Sequence, residues 1–476
     1  MTTSTPDQAA TGLPDLAGLL ASDDPNELVK AFAANPAFRA AEWDELTTGN
    51  DPYRRPVRPA DLAWLDYAKP MPVEKSLKLS ALLGHRMLRN VHDAGILHLP
   101  ASPDAANRVD RADVYSTRNR VLAALAGPVL EAHLFAPLAE QRPELLGDVA
   151  GLRRVVEQEC ERRHAEPGAA FSVAAGTKHR REASTFLLLQ VSAFRPAVAA
   201  AAGRGAVGEY DAAHPGLRGW LLDRYRAWAD GGPAYREVLA AAGLVDTAGA
   251  YWQLYLGSSL GRGNHLLSLA SRPEHGFALL GALVHEWIDD SAVRGVLRET
   301  LAGGLDGVPD EPLGASLTPT AAGALVEELV GPLAQRLGAE VVAEFHRGFV
   351  DAATSAALWD RDLSAQLDWA DRIEEYQEKA ETIDQHLTNE NIVVDLDTFV
   401  EDNEETSTTH VHNEHRLVMI ESGQMHFWNN VTHQIALNAG DKLLIPVSRL
   451  HGSTVLSGTC TYHQPIIPDE LLAQFA

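Results

Sequence analysis

The stretch His410-Val-His412-Asn-Glu-His415-Arg416 decides how the carboxyl-terminal part of this chain is interpreted. Histidines at positions i and i+2 face the same way on a β-strand. A third histidine, His451, follows the motif Gly440-Asp-Lys-Leu-Leu-Ile-Pro446, which predicts a turn and then another strand. Three imidazoles on neighbouring strands can bind one transition-metal ion. The sequence therefore predicts a metal site formed by His410, His412 and His451.

These motifs are spaced as in a cupin, a small β-barrel that can hold a metal in its mouth. The usual cupin pattern places a glutamate four residues after the second histidine, but Arg416 stands there and cannot bind a cation. Three neutral imidazoles suit Fe(II), and also Zn, Cu or Ni. The missing carboxylate makes a 2-oxoglutarate-dependent site less favoured. Two other interpretations stay open: ordinary barrel histidines, and a metal-binding but non-catalytic cupin.

Other residues near this motif are candidates for contact with a substrate. Tyr462, on the predicted final strand, could point into the barrel and form a hydrogen bond, or could simply pack there. Arg449 and Arg416 could bind a substrate carboxylate, although Arg416 could equally be a surface residue. We interpret Tyr462 and Arg449 as the catalytic candidates. His415 and His463 are interpreted as residues beside the site or at the surface.

The rest of the chain is predicted to be helical. From about residue 26 to 375, apolar residues recur at helical spacing, whereas strand-like alternation begins only near residue 385, at 391–397 and 432–437. The sequence thus predicts a multidomain protein with a helical region at 1–125, an all-α bundle at 126–380 and an all-β cupin barrel at 386–476. The predicted helices are 76–94, 122–140, 149–163, 179–202, 218–229, 248–270, 278–301 and 339–357.

Composition excludes some classes of partner and compartment. A net charge of −25 argues against nucleic acid or an anionic membrane as partner, because both attract basic surfaces. Two cysteines, Cys160 and Cys460, are too few for a disulfide framework and are typical of a reducing cytoplasm. The amino terminus lacks the pattern of a signal peptide, and no apolar run reaches about 18 residues. We expect a cytoplasmic protein without a membrane span.

Three groups of residues resemble one enzyme family. They are Asp51-Pro-Tyr-Arg-Arg-Pro-Val-Arg-Pro59 with Leu65-Asp-Tyr67, then Tyr251-Trp-Gln-Leu-Tyr-Leu-Gly-Ser-Ser259 with Gly281-Ala-Leu283, and Ser448-Arg-Leu-His-Gly452 with Tyr462. Together they resemble the N-nitrosourea-forming synthases of streptozocin biosynthesis. The resemblance implies a helical dimerisation region, a haem-oxygenase-like diiron oxidase domain and a cupin, assembled as a homodimer.

The resemblance also implies a division of chemistry between two domains. In that family the diiron domain hydroxylates guanidine nitrogens of an N-methylated arginine. The cupin then rearranges the product oxidatively, forming an N–N bond and an N-nitroso group. The family's cupin ligands fall on His410, His412 and His451 of this chain.

The family's diiron ligands do not carry over in the same way. The helix at 192–201 lacks the family's carboxylate, and the next two ligand positions fall on Arg224 and Ala234. Only Glu286, beside His285, remains near an expected position. We interpret the haem-oxygenase-like domain as a fold without a diiron site. Glu161-Arg-Arg-His164 has the spacing of a compensating ligand pair, but a solvated helix face is favoured.

These observations predict a cupin-based mononuclear non-haem iron oxygenase with one Fe(II) per chain and O2 as co-substrate. Its substrate would be a small, N-hydroxylated compound derived from arginine or another guanidine, and its product would carry an N–N bond. Such a reaction belongs to specialised-metabolite biosynthesis. One alternative is a bifunctional enzyme with a diiron N-hydroxylase as well. Another is a non-catalytic metal-binding partner of an active homologue.

Overall fold

The structure is a computed structural model. It describes residues 18, 25–33, 81–97, 115–229, 232–244, 251, 254–310, 316–403, 406–428, 434–455 and 458–475. The motifs at 51–59 and 65–67, and positions 252 and 253 of the second motif, lie outside the described residues. The chain divides into two compact units, 1–136 and 137–476. The three-domain division remains a prediction.

The described part of the first unit is helical, with α1 (Pro25–Ala33), α2 (Ala81–Asp93) and α3 (Thr117–Leu134). Helix α3 begins where the Ser116 side chain accepts a hydrogen bond from the Asn119 amide at 3.1 Å, which satisfies a free backbone donor of the first turn. The core contains two apolar clusters, built around Phe32 with Leu122 and around Met87 with Leu130. Burial of these faces holds the three helices together.

Helices also make up most of the second unit. The helices predicted at 149–163, 179–202, 218–229 and 278–301 are confirmed within a few residues. The helix predicted at 248–270 begins only at Gly257, the one at 339–357 continues to Asp371, and the one at 122–140 is interrupted at Phe135. The helices are α4 (Ala136–Glu140), which leads into this unit, α5 (Val149–Ala165), α6 (Ala169–Gly176), α7 (Arg180–Gly205), α8 (Leu217–Ala229), α9 (Gly232–Ala241), α10 (Gly257–Ala270), α11 (Gly276–Gly304), α12 (Pro319–Leu337), α13 (Ala339–Asp371) and α14 (Ile373–Asn389). Helix α7 is long and apolar enough to cross a membrane, yet 72% of its apolar window is buried. That is the environment of a core helix.

Helices α11 and α13 cross at two glycines. A Cβ atom at Gly281 would lie 1.9 Å from the Phe345 carbonyl oxygen, and one at Gly348 would lie 1.8 Å from the Ala278 carbonyl oxygen. Neither backbone can accommodate a methyl group at that distance. The two helices therefore approach each other as closely as their backbones allow, and this contact fixes the course of α13.

Replacing Gly281 by alanine is expected to lower the free energy of unfolding by about 3 kcal/mol, because the new methyl group forces the two backbones apart. Gly295→Ala on the same helix is the matched control, since a Cβ there meets nothing within 4 Å. Removing a helical glycine at that open position should stabilise by up to about 1 kcal/mol. Urea unfolding of both variants checks the sign of each change, and equal effects would contradict the close crossing.

The carboxyl-terminal part forms two antiparallel sheets. The strands are β1 (Thr398–Asp402), β2 (Thr406–His410), β3 (His415–Ser422), β4 (Gln424–Trp428), β5 (Gln434–Asn438), β6 (Lys442–Ile445), β7 (His451–Val455), β8 (Thr459–His463) and β9 (Ile466–Ile467), followed by the short helix α15 (Asp469–Leu472). One sheet has the order β1-β8-β3-β6, with β9 paired to β3, and the other has the order β2-β7-β4-β5. Apolar side chains of both sheets share one core.

The predicted fold class, a mostly helical protein with a carboxyl-terminal cupin-like β-domain, is confirmed. Among the described residues the strands form two packed sheets rather than one closed barrel. The described part of the predicted strand at 432–437 is confirmed as β5. The predicted strand at 391–397 is wrong, because β1 begins only at Thr398. Asn391 and Asp397 have positive φ angles of 51° and 46°, and Val393 is 96% exposed, so the alternation there does not reflect a buried face.

Helix α13 extends from the bundle to the sheets. Its residue Trp369 is 1% exposed and packs in the core that the two sheets share. The Trp369 indole donates a hydrogen bond to the Leu444 carbonyl oxygen at 3.4 Å. Helix α14 continues this contact, since Lys442 on β6 lies 2.8 Å from a carboxylate oxygen of Glu381. The β-domain is thus built directly onto two helices.

Candidate metal centre

The strand register brings two of the three predicted ligands together. Strands β2 and β7 pair antiparallel, and His410 lies directly opposite His451 in that pairing. His412 follows two residues after the end of β2. Of the two histidines predicted to share a strand, His410 therefore lies on the strand and His412 lies in the loop that follows it. The loop is tied down because the Ser448 amide donates a hydrogen bond to the His412 carbonyl oxygen at 2.8 Å.

The three imidazoles converge. The His410 ring centroid lies 4.9 Å from that of His412 and 4.4 Å from that of His451, and the last two are 4.9 Å apart. One ring nitrogen from each side chain lies within 4.8 Å of the others. Because metal–nitrogen bonds are about 2 Å long, an ion shared by the three side chains would hold these nitrogens within about 4 Å of one another, which is close to the arrangement observed.

Within the described part of the chain, hydrogen bonding leaves one ring nitrogen of His412 and one of His451 unsatisfied. His451 Nδ1 donates to the Arg449 carbonyl oxygen at 2.8 Å, which fixes the tautomer and leaves Nε2 as the ligand atom. The Nε2 atoms of His412 and His451 are buried and have no hydrogen-bond partner among the described residues. Buried polar atoms without a partner are costly, and a bound cation would satisfy both. The residues therefore fit a metal ion.

The electrostatic environment keeps the imidazoles of His412 and His451 neutral. Burial lowers the pKa of His412 to about 3, assisted by the neighbouring His410 and Arg416. Burial likewise lowers the pKa of His451 well below its usual range. A neutral imidazole has the lone pair that a metal requires, whereas a protonated one does not. His412 and His451 are therefore in the protonation state that metal binding requires at neutral pH.

Aromatic side chains form one wall of the site. The Phe427 ring stacks on His451 at a centroid distance of 5.4 Å, and Trp369 of α13 meets Phe427 edge-on at 6.3 Å. Both aromatic residues are nearly inaccessible to solvent. This wall holds the His451 ring in place and keeps water from its outer face.

The two residues predicted to be catalytic are both held by carboxylates. The Tyr462 hydroxyl donates to Glu401 Oε1 at 2.8 Å, and the tyrosine ring stacks on Phe399 at 5.3 Å. Arg449 Nη1 lies 3.7 Å from Asp362 Oδ1 on α13. Their catalytic roles remain predictions.

The remaining polar residues of the motif bind other parts of the β-domain. Arg416 donates to Asp397 Oδ2 and to the Gln464 carbonyl oxygen, each at 2.9 Å. His415 Nδ1 accepts from the Val447 amide at 3.2 Å. The Arg416 guanidinium thus connects two segments of the domain and is 8% exposed as a residue.

The centre of the helical bundle contains an arginine between two carboxylates. Arg262 on α10 donates to both oxygens of Glu286, at 2.9 and 2.7 Å, and to Asp289 Oδ2 at 2.5 Å, both carboxylates lying on α11. Arg163 on α5 also binds Asp289. All four side chains are at most 6% exposed. Despite its burial, Asp289 has a pKa held below the usual range by Arg262 and Arg163.

Sequence reasoning identified Glu286 but missed Arg262, which neutralises it. The signal was present, because Arg262 is the one charged residue in Gly257-Ser-Ser-Leu-Gly-Arg-Gly-Asn-His-Leu-Leu-Ser-Leu-Ala270. A lone arginine on a helix that is otherwise apolar or uncharged is buried only with an anionic partner. Arg224, which occupies a position where the family has a metal ligand, packs on an aromatic ring: its guanidinium lies 4.0 Å from the centroid of the Trp287 ring.

The predicted solvated face of α5, which carries Glu161 and His164, is confirmed. Glu161 and His164 are both exposed, and His164 Nδ1 donates to the Cys160 carbonyl oxygen of its own helix at 2.8 Å. Within the part of the chain that the structure describes, the triad of His410, His412 and His451 is the one group that could hold a metal.

A buried histidine of the bundle gives a pH-dependent prediction. Burial lowers the pKa of His265 to about 4, with Asp351 opposing the shift. In the unfolded chain this histidine is protonated below about pH 6.5, whereas in the folded chain it is protonated only below about pH 4. The free energy of unfolding therefore decreases as the pH falls from about 6.5 to about 4.

Replacing His265 by glutamine should remove this contribution. The pH slope of the free energy of unfolding should be smaller in the variant by about 1.4 kcal/mol per pH unit between pH 6 and 4.5. Urea unfolding at several pH values measures it. His164→Gln, on the exposed face of α5, is the control and should keep the wild-type slope; equal slopes in all three proteins would contradict the burial of a neutral His265.

A known protein is similar to this chain over nearly its whole length. No protein-family model matches. The nitrosourea synthase of Streptomyces achromogenes subsp. streptozoticus is 26% identical over 452 residues, which cover 92% of this chain and 94% of that protein. Among solved structures, KdgF from Halomonas sp. aligns with 17% of this chain and 80% of its own, at 17% identity and a TM-score of 0.14, and this likeness carries no argument. The chain is therefore related to nitrosourea synthase, through both its helical and its β-rich parts.

Proposed function

We propose that this chain is a cupin-based mononuclear non-haem iron oxygenase that forms an N–N bond in a small, N-hydroxylated substrate derived from arginine or another guanidine. The convergence of His410, His412 and His451 carries the proposal, because three imidazoles with no carboxylate among them form a ligand set that could hold one metal ion. The relationship to nitrosourea synthase supports the class of reaction. The chain is accordingly proposed to be an oxidoreductase of specialised metabolism.

The three imidazoles would hold one Fe(II), which when bound supplies a redox-active centre with open positions for substrate and O2. His451 is oriented for this by the Arg449 carbonyl oxygen and by the ring of Phe427. The buried aromatic wall would exclude water from one side of the site. These residues hold the ligand set in place before any substrate arrives.

Tyr462 and Arg449 are proposed to contact the substrate. Glu401 orients the Tyr462 hydroxyl by accepting its proton in a hydrogen bond, which leaves the hydroxyl oxygen as an acceptor for a substrate N–H or N–OH group. The Arg449 guanidinium, partly buried beside Asp362, is proposed to bind the carboxylate of an amino-acid substrate.

The helical bundle is proposed to have the haem-oxygenase-like fold without a metal pair. A diiron site requires carboxylates that are available to the ions. Glu286 and Asp289 are instead neutralised by Arg262 and Arg163. The N-hydroxylated substrate would then come from another enzyme. The bundle and the first unit would serve to form a homodimer in the cytoplasm and to support the cupin.

Measurement of iron per chain separates the proposal from the bifunctional alternative. The protein reconstituted anaerobically with Fe(II) should hold about one iron per chain, whereas a working diiron site would raise this to about three. O2 consumption should couple to turnover of N-hydroxyarginine analogues, detected by mass spectrometry of the N–N-bonded product. One iron without coupled turnover of any analogue would favour the non-catalytic alternative, and no iron at all would refute the proposal.

A further inference from the structure

The loop that precedes His451 is held by a helix as well as by its own strands. Gln366, on α13, is completely buried. Its Nε2 donates to the Leu450 carbonyl oxygen at 3.0 Å, and the Leu450 amide donates to its Oε1 at 2.8 Å. A single amide side chain thus satisfies both backbone groups of the residue directly before a predicted metal ligand, in the way that a neighbouring strand would.

The next residue back along the loop is attached to the same helix. Arg449 Nη1 lies 3.4 Å from the Asp362 carbonyl oxygen and 3.7 Å from its Oδ1. Asp362 in turn accepts from Ser258 Oγ of α10 at 2.6 Å. The Arg449 carbonyl oxygen then accepts from His451 Nδ1. Hydrogen bonds therefore connect both the backbone before His451 and the His451 ring, through Leu450 and Arg449, to the helical bundle.

Helix α13 is firmly placed where it makes these contacts. Two turns before Gln366 on the same helix, the Trp359 indole donates a hydrogen bond to Ser259 Oγ of α10 at 2.9 Å. Just after Gln366, Trp369 packs against Phe427, the residue that stacks on His451. The close crossing at Gly281 and Gly348 fixes the other half of the helix. The bundle can therefore act as a rigid support for one ligand of the triad.

We propose that Gln366 is a positioning residue of the metal centre: through Leu450 it sets the place from which His451 reaches the ion, so that the helical bundle determines metal affinity in the cupin. The inference rests on the proposed function, because it requires a metal at the triad. It adds that the helical part contributes to that site through α13. Residues that orient metal ligands typically change metal affinity 10- to 100-fold when they are replaced.

Two variants of the full chain test this with Co(II), whose visible spectrum reports ligand geometry. Gln366→Leu keeps the approximate size of the side chain and removes both hydrogen bonds. Gln366→Glu keeps the acceptor for the Leu450 amide and replaces the donor by a carboxylate oxygen facing a carbonyl oxygen. Lys442→Met is the matched control, since it removes a helix-to-sheet contact with Glu381 of α14 that does not touch the ligand loop.

The dissociation constant for Co(II), measured by competition with a chelator, should rise 10- to 100-fold in Gln366→Leu and by a smaller factor in Gln366→Glu. The d–d absorption bands should shift in both, and Lys442→Met should match wild type. Wild-type affinity and spectrum in both Gln366 variants would overturn the inference. If circular dichroism shows that Gln366→Leu does not fold, the near-isosteric Gln366→Glu decides. Failure of the wild type to bind Co(II) would instead count against the proposed function.

Discussion

Replacing His410 and His412 together by alanine is expected to reduce bound iron from about one per chain to nearly none and to lower product formation by at least about 10³-fold. Two of the three proposed imidazole donors are lost, and a single imidazole does not hold Fe(II) against solvent. The third, His451, is buried and its ring is held by the Arg449 carbonyl oxygen, so the variant should keep its fold. Iron quantification and O2-dependent turnover measure the two effects side by side.

His463→Gln is the control for this double variant. His463 is a histidine of the same domain, but its Nδ1 shares a hydrogen bond with Thr398 Oγ1 at 2.8 Å and it is not part of the triad. The control should keep its iron and its turnover within about threefold of wild type. Full iron content in the double variant would show that the chain binds its metal elsewhere.

Replacing Arg262 by methionine should have the largest effect on stability, lowering the free energy of unfolding by about 3–5 kcal/mol. The substitution leaves Glu286 without its bidentate partner and Asp289 with one arginine instead of two. Removing one partner of a buried ion pair strands the other charge in a medium that solvates it poorly. Chemical unfolding of the purified protein measures the loss.

Two further proteins make this test specific. Arg153→Met removes an arginine from an exposed pair with Glu157 and Glu327, and solvent screening there predicts little change. Converting Glu286 and Asp289 to Gln and Asn in the Arg262→Met background removes the stranded charge and should recover part of the stability. An Arg262→Met protein as stable as wild type would contradict the buried ion pairs of Arg262 with Glu286 and Asp289.

The sequence was sufficient for the triad because its information is local. The i, i+2 pair, the glycine-led turn and the third histidine predict neighbouring strands, and His410 does lie opposite His451 where β2 pairs with β7. The sequence does not predict the position of His412 in the loop after β2. Gly440 has a φ of 95°, which is the conformation that a turn glycine is expected to supply. The long helices were equally accessible, since Val149 and Ala339 begin helices as the periodicity predicts.

What the sequence did not reveal depends on contacts between distant residues. Gln366 and Leu450 are 84 positions apart, and nothing in the composition of α13 marks Gln366 as a partner for that loop. The ion pairs of Arg262 also join separate helices: its sequence neighbours predict an anionic partner but do not identify Glu286 or Asp289 as that partner. The strand predicted at 391–397 is wrong for a local reason. Apolar and polar side chains alternate there, but the apolar ones face solvent and not a core.

Helix α13 also limits how this protein can be cut and recombined. With 33 residues it extends about 50 Å, and it supplies Trp369 to the interior of the β-domain and Gln366 to the loop before His451. A chimera that joins the β-rich segment to a foreign partner near residue 386 would leave that support behind. A graft that begins upstream of Ala339 keeps helix α13 together with the three histidines, so it preserves the contacts that hold the loop before His451.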